Sequence, residues 1–464
     1  MKKNIGIIII LLFGFSLKAQ KTIGSILING NNKTKKEIIL RELELKIDSA
    51  YNQGELKAKV LKSKNNLTNL KLFNFVDIKS LEKNQNIEIH INVIEKWYIW
   101  PYPILELSDR NFNTWWEEFS ENNYSDFSRI NYGVFFNWEN FRGRNELLKL
   151  KIRTGFKEHF LISFQTPFIN KNKTLGIGVD LNLFRRKKTF YKTINNELIF
   201  YENQEEFTSK DYSIELNANY RKGIYNKHNF NISYYNTLIS DSIRTKNYNY
   251  LNNNKTSGSF IRSAYRFMSE HRDYVIYPLK GYYFSIEIAK HHALKSPVNH
   301  LEAIGKFEKH LALKENIFLG SSFNARLTSQ EEQPYFSQKG FGFQQYVRGY
   351  EYYVIDGQSY WLSRTALKYE LVKKYKFDIP YVKISQFKKS HHSLYIGIFS
   401  DMGYIFDEYN SSTNPLQKKL LWGKGIALDY ITYYDQILRI EYSLNHLGEK
   451  GVFLHFSNPF GSKR

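Results

Sequence analysis

The sequence predicts a mainly β protein, in which a 16-stranded antiparallel transmembrane β-barrel follows one small α/β domain of β-α-α-β-β order. Three observations predict this fold class. Apolar and polar residues alternate through most of the chain after residue 98, as they do in strands with one lipid-facing and one polar side. The alternating segments are even in number, as in bacterial single-chain barrels. Aromatic residues make up 17% of the chain although its mean hydropathy is negative, which favours a barrel with aromatic belts over a bundle of membrane helices.

The composition excludes several classes of protein. The 464 residues include no cysteine, so disulfides, thiolate zinc sites, cysteine nucleophiles and lipid attachment through an N-terminal cysteine are excluded. The formal net charge of +21 invites a nucleic-acid interpretation. Lysine is spread along the whole chain, however, without a concentrated basic arm. We therefore predict no nucleic-acid partner.

Residues 1–19 have the pattern of a secretory signal peptide. Lys2 and Lys3 precede a mostly apolar run at 5–17, and Ala19 supplies a small residue for cleavage. The run is shorter than the roughly 20 residues that a membrane-spanning helix needs, and no later segment offers such a span. If the exported chain enters a membrane, it must do so as a closed barrel, which satisfies its own backbone hydrogen bonds in lipid.

Residues 21–97 predict the small α/β domain. A strand at 22–29 ends at Gly30, and Thr34 is positioned to cap the helix that follows. The apolar positions assigned to the first helix are Ile38, Ile39, Leu43 and Ile47, those of the second helix are Leu56, Val60, Leu67 and Leu70, and two strands follow at 73–80 and 87–94.

Residues 98–464 predict the barrel. Its sixteen strands are assigned to 99–107, 129–142, 145–156, 158–169, 175–186, 209–222, 226–241, 258–271, 281–292, 300–314, 316–329, 359–374, 392–408, 419–432, 436–447 and 451–460. Most are about 9 to 16 residues long, enough to cross a bilayer at a tilt, whereas soluble strands are usually nearer 5 to 6 residues.

Loop lengths support a membrane barrel over a soluble sandwich, which would also alternate. Long connections follow strands 1, 5, 7 and 11, at 108–128, 187–208, 242–257 and 330–358. Connections at the other end are mostly tight, as expected for periplasmic turns. The stretch at 375–391 departs from this rule as a long inner turn.

Two short motifs lie in the second half of the barrel. The loop at 330–358 carries Val347, Arg348, Gly349 and Tyr350, and predicted strand 13 carries Phe399, Asp401 and Gly403. Because a carboxylate in lipid is costly, Asp401 must face the lumen, and Gly349 permits a tight turn in the loop. From the residues alone, Arg348 either forms a charge-assisted pair with Asp401 or remains an exposed loop residue.

At these residues the chain resembles the BamA/TamA superfamily of outer-membrane assembly factors and two-partner secretion translocators (bacterial surface antigen type). The loop tip and the strand-13 motif match that family, and Arg272-Asp273 with Pro278 and Gly281 resembles one of its recurrent hairpins. The segments at 28–31, 41–43 and 72–76 give the small domain a resemblance to a single POTRA (polypeptide-transport-associated) domain. The resemblance implies that the loop folds inward and that Arg348 pairs with Asp401.

Three prolines mark the predicted seam between the first and last strands. Pro101 and Pro103 lie in strand 1, and Pro459 lies at the end of strand 16. Since proline donates no backbone hydrogen bond, these strands are expected to pair incompletely. The seam would then match the lateral gate that the resemblance implies. The alternative is that these prolines only mark strand ends at the membrane interface.

The sequence predicts no enzyme, no cofactor and no metal site. The pairs His291-His292 and His391-His392 lack metal-site spacing with a matching set of carboxylates. A nucleophile elbow, a phosphate-binding glycine loop and a zinc-protease motif are all absent from the sequence.

The resemblance implies an assembly or insertion factor of the Gram-negative outer membrane, with its POTRA-like domain in the periplasm. In this interpretation the domain's edge strand captures unfolded client strands, and the seam templates their entry into the lipid. The alternative is a dedicated translocator that secretes one polypeptide. The expected partners are unfolded outer-membrane or secreted polypeptides, outer-membrane lipid and accessory assembly subunits. Docking of the accessory subunits is left open, because the chain has room for one POTRA-like domain and the main assembly factor has several.

Overall fold

The computed structural model describes residues 21–457 except 84–85, 108–111, 122–129, 156, 204, 296–297, 330–332, 407–413, 433 and 435. The predicted signal peptide at 1–19 and Pro459 therefore lie outside the described residues. The described chain forms a small four-stranded sheet with helices, followed by a sixteen-stranded antiparallel sheet. This confirms the predicted fold class.

The N-terminal domain packs two helices on a four-stranded sheet of order β2-β1-β4-β3. Its elements are β1 (Lys21–Asn29), α1 (Lys36–Leu40), β2 (Ala50–Tyr51), α2 (Gln53–Asn69), β3 (Phe73–Lys83) and β4 (Asn86–Glu95). Ile23, Ile39, Leu67, Ile89 and Ile91 form the centre of its fully buried core. β4 lies between β1 and β3, and its alternating apolar residues pack with those of the helices in this core.

The first helix differs from its prediction in two respects. It ends at Leu40, so that Leu43 is buried beyond the helix and Ile47 is exposed. Its N-cap is Lys35, whose side chain makes no capping bond. Thr34 is instead buried, with its hydroxyl 3.0 Å from the Tyr98 hydroxyl. The predicted cap is therefore wrong, because a tertiary partner takes the hydroxyl that a cap would use.

The sixteen predicted strands are all present, with ends that differ by at most a few residues. They are β5 (Ile99–Leu107), β6 (Ile130–Phe141), β7 (Glu146–Gly155), β8 (Lys157–Thr166), β9 (Leu175–Arg186), β12 (Ser209–Tyr220), β13 (Asn226–Ile239), β14 (Ser257–Glu270), β15 (Gly281–Ala293), β16 (Leu301–Lys314), β17 (Ile317–Thr328), β18 (Ser359–Asp378), β19 (Lys389–Phe406), β20 (Leu421–Thr432), β21 (Gln436–Asn445) and β22 (Lys450–Ser457). Each pairs antiparallel with its neighbours in sequence order, and β5 and β22 are the two ends of the sheet.

The connections contain structure that the sequence did not predict. The loop after β9 forms a separate hairpin of β10 (Lys188–Ile194) and β11 (Glu197–Glu202). The other elements outside the barrel strands are α3 (Phe112–Glu121), α4 (Asp241–Lys246), a 3-10 turn (Tyr335–Ser337) and α5 (Ser385–Lys388). No helix among the described residues is both long enough and apolar enough to span a membrane.

The outward side of the sheet carries large exposed apolar side chains on alternate residues. On paired strands β12 and β13, Ile214, Leu216, Phe230 and Ile232 are all exposed, whereas Asn231 between the last two is nearly buried. Exposed apolar residues in this two-residue period are the surface expected of strands that face lipid. The polar residues between them face the lumen.

The POTRA-like domain rests on one end of the barrel, against the short turns. Glu42 receives two hydrogen bonds from Arg221, at 2.6 and 2.7 Å. Beside it, Arg41 donates to the backbone oxygens of Lys173 and Arg221, at 2.8 and 2.6 Å. The end that bears this domain is therefore the end with the tight turns, as the predicted topology requires.

The long inner turn at 375–391 is largely a two-stranded ribbon. Strands β18 and β19 stay paired as far as Asp378 and Lys389, beyond the reach of their other neighbours. The ribbon packs on the small domain, where the rings of Phe75 and His391 are in edge contact and the Asn74 side-chain amide donates to the backbone oxygen of Gln386 at 2.7 Å. Its length is thus used to hold the domain.

Candidate functional site: the inward loop and the barrel wall

The loop between β17 and β18 is packed against the lumen side of the barrel. Phe341 and Ile355 form a two-way backbone bridge, with both N···O distances at 2.9 Å, which closes the loop on itself. Val347 and Tyr350 are buried together with wall residues in one apolar cluster. The loop tip is therefore a fixed part of the interior.

Arg348 and Asp401 form a buried bidentate ion pair. The Arg348 Nε–Asp401 Oδ2 distance is 2.7 Å and the Nη2–Oδ1 distance is 2.5 Å. Asp401 has no exposed surface, and Arg348 is 7% exposed. The guanidinium also lies 3.8 Å from the centre of the Phe399 ring, a cation–π contact. Losing either partner removes the closest counter-charge of the other, because the next ones are more distant: Arg364 lies 3.6 Å from Asp401, and Glu441 lies 3.8 Å from Arg348.

Glycine residues in the wall make room for the loop backbone. A Cβ atom on Gly403 would lie 2.7 Å from Val347 Cγ2, and one on Gly423 would lie 1.7 Å from the Arg348 carbonyl oxygen. Gly349 has a φ of +89°, the left-handed region that favours glycine. Gly423 was missed from the sequence, although it faces Asp401 directly in the β19–β20 register. A glycine on the neighbouring strand, opposite the lumen carboxylate, was the available signal.

The loop tip is also anchored to the last two strands and their connecting turn. The hydroxyl of Tyr350 bonds to His446 Nδ1. The Asn445 side-chain amide donates to the Gly349 carbonyl oxygen at 2.9 Å. All four residues of the predicted tip motif therefore contact the wall or its turns.

A second ion pair, between Arg439 and Asp429, lies near the first. Arg439 binds Asp429 through two hydrogen bonds of 2.5 and 2.9 Å. Tyr277, which lies within the predicted hairpin element between Asp273 and Pro278, donates to the same carboxylate at 2.6 Å. A cavity of about 370 Å³ lies between this inner hairpin and the loop tip, and Arg348 and Arg439 both line it. The inner hairpin and the loop therefore both occupy the lumen, and the polar cavity lies between them.

Glu351, next to the loop tip, is buried as well. Its Oε2 accepts a hydrogen bond from the Gly349 N–H at 2.9 Å. Burial, together with the nearby Glu441 carboxylate, raises the pKa of Glu351 to about 8, although Arg348 acts in the opposite direction. Three His and Glu ligand atoms, from Glu351, Glu441 and His455, lie within 4.8 Å of one another here. The sequence did not predict this cluster because Glu351 is 90 and 104 residues from Glu441 and His455.

A second such cluster, His291, His300 and Glu302, lies elsewhere in the barrel wall. Its carboxylate is already bound by two arginines, at 2.8 Å from Arg326 and 3.3 Å from Arg262. The two imidazole rings are stacked on each other at 4.2 Å. Because both oxygens of its carboxylate already accept hydrogen bonds from arginines, this cluster is the weaker candidate for a ligand site.

The predicted seam is the pair of sheet ends, β5 and β22. Pro101 and Pro103 lie opposite Phe136 and Val134, and the register with β6 runs through them without a break. Since a proline nitrogen facing β6 would interrupt that ladder, both nitrogens face the outer edge of β5. Among the residues that the structure describes, no strand pairing joins β5 to β22.

The comparisons with known proteins agree with this architecture. Residues 21–96 match the POTRA family model, described as "Surface antigen variable number repeat". The chain is similar to the crystal structure of BamA from Haemophilus ducreyi lacking POTRA domains 1–3, with a TM-score of 0.52 at 14% identity over 94% of this chain and 84% of that one. The comparison with CdiB from Acinetobacter baumannii gives a TM-score of 0.47 at 11% identity, over 94% of this chain and 73% of that one. CdiB from Escherichia coli gives 0.49 at 9% identity, over 96% and 91%.

No curated protein sequence matches the chain. The protein is a sixteen-stranded barrel with an N-terminal α/β domain docked on its short-turn end. That domain is a POTRA domain, and the whole chain has the fold of the BamA barrel. The predicted resemblance is confirmed at this level.

Proposed function

We propose that this protein is a non-enzymatic outer-membrane assembly factor, with its POTRA domain in the periplasm. The apolar outer face of the barrel, the polar lumen and the domain docked at the short-turn end support this location. The chain shares the fold of BamA, and that fold fits both an insertion factor and a secretion translocator.

The observation that carries the proposal is the plugged lumen beside a proline-bearing sheet end. The loop tip is held to the wall by the Arg348–Asp401 pair, so an open passive pore is disfavoured. Pro101 and Pro103 leave two positions on the outer edge of β5 without a backbone N–H donor. A client strand would add at this edge. A client strand can therefore be taken up at the seam and released sideways into lipid.

Capture would begin at the free edge of the POTRA sheet. Strand β3 is the outermost strand of that sheet and is exposed from Lys79 to Lys83. An exposed edge presents backbone donors and acceptors to any extended segment, whatever its sequence. The client class is thus an unfolded polypeptide with strand-forming segments.

Single prolines on β3 test capture at this edge. Lys79 and Ser80 are adjacent, so one of their N–H groups faces β4 and the other faces the outer edge. We expect the proline at the outward position to weaken cross-linking of unfolded client peptides to β3 by about tenfold, with the POTRA domain still folded by circular dichroism. Equal client capture by both folded proline variants would contradict the assignment of this edge.

A second candidate function is dedicated secretion of one polypeptide through the lumen. It is favoured by the space that remains inside the barrel, a cavity of about 760 Å³ on the other side of the loop. Translocation would require the loop to leave the wall, whereas insertion at the seam would not. The two functions therefore make different demands on the Arg348–Asp401 pair.

A quantitative proteome of the outer membrane and the medium after depletion of this protein separates the candidates. Loss of many barrel proteins together is the result expected for an insertion factor. Loss of one secreted or surface protein, with other barrels intact, would establish the dedicated translocator instead. An unchanged proteome would contradict both.

A further inference from the structure

Three side chains from three separate elements converge at the inner side of the loop tip. Glu351 comes from the loop, Glu441 from β21 and His455 from β22. The His455 Nε2 atom lies 3.5 Å from Glu441 Oε2 and 3.8 Å from Glu351 Oε1. Both carboxylates are about 1% exposed. The cluster is therefore assembled only when the loop is seated on the last two strands.

Each of the three residues uses one polar atom for the fold and turns the other into the same space. Glu351 accepts the Gly349 N–H with Oε2 and presents Oε1. Glu441 faces Arg439 and Arg348 with Oε1, at 3.4 and 3.8 Å, and presents Oε2. The two guanidinium groups therefore lie beside Glu441 Oε1. Glu441 Oε2 has no hydrogen-bond partner among the described residues.

The histidine is oriented by its other nitrogen. His455 Nδ1 lies 3.3 Å from the Tyr346 hydroxyl, and the two rings are stacked. If Nδ1–H donates to that oxygen, the Nε2 lone pair points at the two carboxylates. Metal-binding histidines are commonly fixed in this way by a hydrogen bond from the second nitrogen.

The distances suit a cation between the three atoms better than direct hydrogen bonds. Hydrogen bonds of this type span about 2.7–3.2 Å, which is shorter than both histidine–carboxylate distances. Two ligands bound to one tetrahedral metal at roughly 2.0–2.2 Å lie about 3.3 Å from each other. The observed histidine–carboxylate distances are close to this ligand–ligand distance, and small side-chain rotations would bring the atoms to it.

We propose that Glu351, Glu441 and His455 form a binding site for one divalent transition metal ion of the Zn²⁺ class. One imidazole and two carboxylates are ligands that suit Zn²⁺ and, with weaker binding, Mn²⁺. The cavity of about 370 Å³ that His455 and Glu441 line provides an entry path and room for a water ligand. The site does not depend on the proposed assembly function.

Metal binding would connect the loop to the last strand of the sheet. Since His455 lies on β22, the ion would hold the loop tip directly beside the sheet end that forms the seam. Loading would therefore favour the seated loop, and removal would favour its release. Metal supply is thus a means of regulating the barrel.

The test uses the purified full-length protein in detergent, stripped with a chelator and titrated with Zn²⁺ by calorimetry. We expect one equivalent to bind, and Glu351→Gln and His455→Gln to weaken binding at least about tenfold. His228→Gln, which alters a wall histidine bonded to Tyr265, is the matched control and should bind as the wild type does. Heat-modifiable migration on gels verifies that each variant is folded.

A second measurement needs no variant. Co²⁺ added to the stripped wild-type protein should give visible d–d absorption and a paramagnetic shift of one histidine, and Zn²⁺ should displace it. Absence of stoichiometric binding would overturn the proposal, as would wild-type affinity in either folded ligand variant.

Discussion

Two arginine–carboxylate pairs hold separate parts of the molecule to the barrel, and they do so in different surroundings. Arg348 and Asp401 join the loop to the lumen wall, whereas Arg221 and Glu42 join the POTRA domain to a short turn of the barrel. Both pairs are bidentate, which makes them geometrically specific. The first is enclosed by an aromatic ring and wall glycines, and the second lies at the boundary between two domains.

The difference indicates which part is fixed and which part can move. The loop tip adds apolar burial, a glycine cradle and bonds to a second turn to its ion pair. The domain contact combines polar bonds to backbone oxygens of turns with the ring of Phe168, which packs into the domain's apolar core. Interfaces with a large polar share allow relative domain motion. We therefore expect the loop to behave as a lock and the POTRA domain as a hinged part.

Exchanging the charges of Arg348 and Asp401, the inner pair, is expected to have the largest effect on folding and client assembly. Arg348→Asp and Asp401→Arg each place two like charges in a buried site, where breaking a pair costs about 3–5 kcal/mol. Both single variants should lose client assembly and show reduced heat-modifiable barrel on gels. The double exchange should recover part of both. Full activity in the two single variants would contradict the role of the pair.

Filling the glycine cradle is the next largest change. Gly423→Ala places a Cβ against the Arg348 carbonyl oxygen, and overpacking of this kind costs about 1–3 kcal/mol. We expect the loop to become sensitive to protease while the barrel stays folded. Gly305→Ala is the matched control, since a Cβ there meets nothing within 4 Å. Equal protease resistance in the two variants would mean that close approach of the loop is not required.

Breaking the outer pair, Arg221 and Glu42, should have a smaller effect on barrel stability and a larger one on the motion of the POTRA domain. Glu42→Gln weakens a charged hydrogen-bond pair worth about 1.5–3 kcal/mol but leaves the barrel core unchanged. Spin labels on the POTRA domain and the barrel should report a broader distance distribution in this variant. Glu82→Gln, which removes an exposed contact with Lys21 within the domain, should leave the distribution unchanged. A narrow distribution in Glu42→Gln would contradict the hinged interpretation.

Much of the barrel could be predicted because one physical rule repeats sixteen times. Each strand alternates between lipid and lumen, so period and length identify it without tertiary information. The β10–β11 hairpin was missed although its signal was present. Asn195 and Asn196 both have positive φ, as a two-residue hairpin turn requires. The length of the connection alone favours a loop.

The inner site could be predicted in part. Asp401 had to face the lumen, and the resemblance supplied Arg348 as its partner. Gly423 and the cluster of Glu351, Glu441 and His455 depend on register and on where the loop lands. Those relations join residues many strands apart, and the local period of the sequence does not contain them.

Locking the seam is the most direct test of the central claim that clients leave sideways at β5 and β22. Leu105 and Val452 have exposed side chains on the outer side of these two strands, and the chain has no native cysteine to interfere. The control is Val134→Cys with Ile152→Cys, which are exposed and opposite each other on β6 and β7. Cross-linking Leu105→Cys to Val452→Cys with a short thiol reagent should abolish client assembly, and the control should retain it. Full assembly with the seam cross-linked would contradict the account.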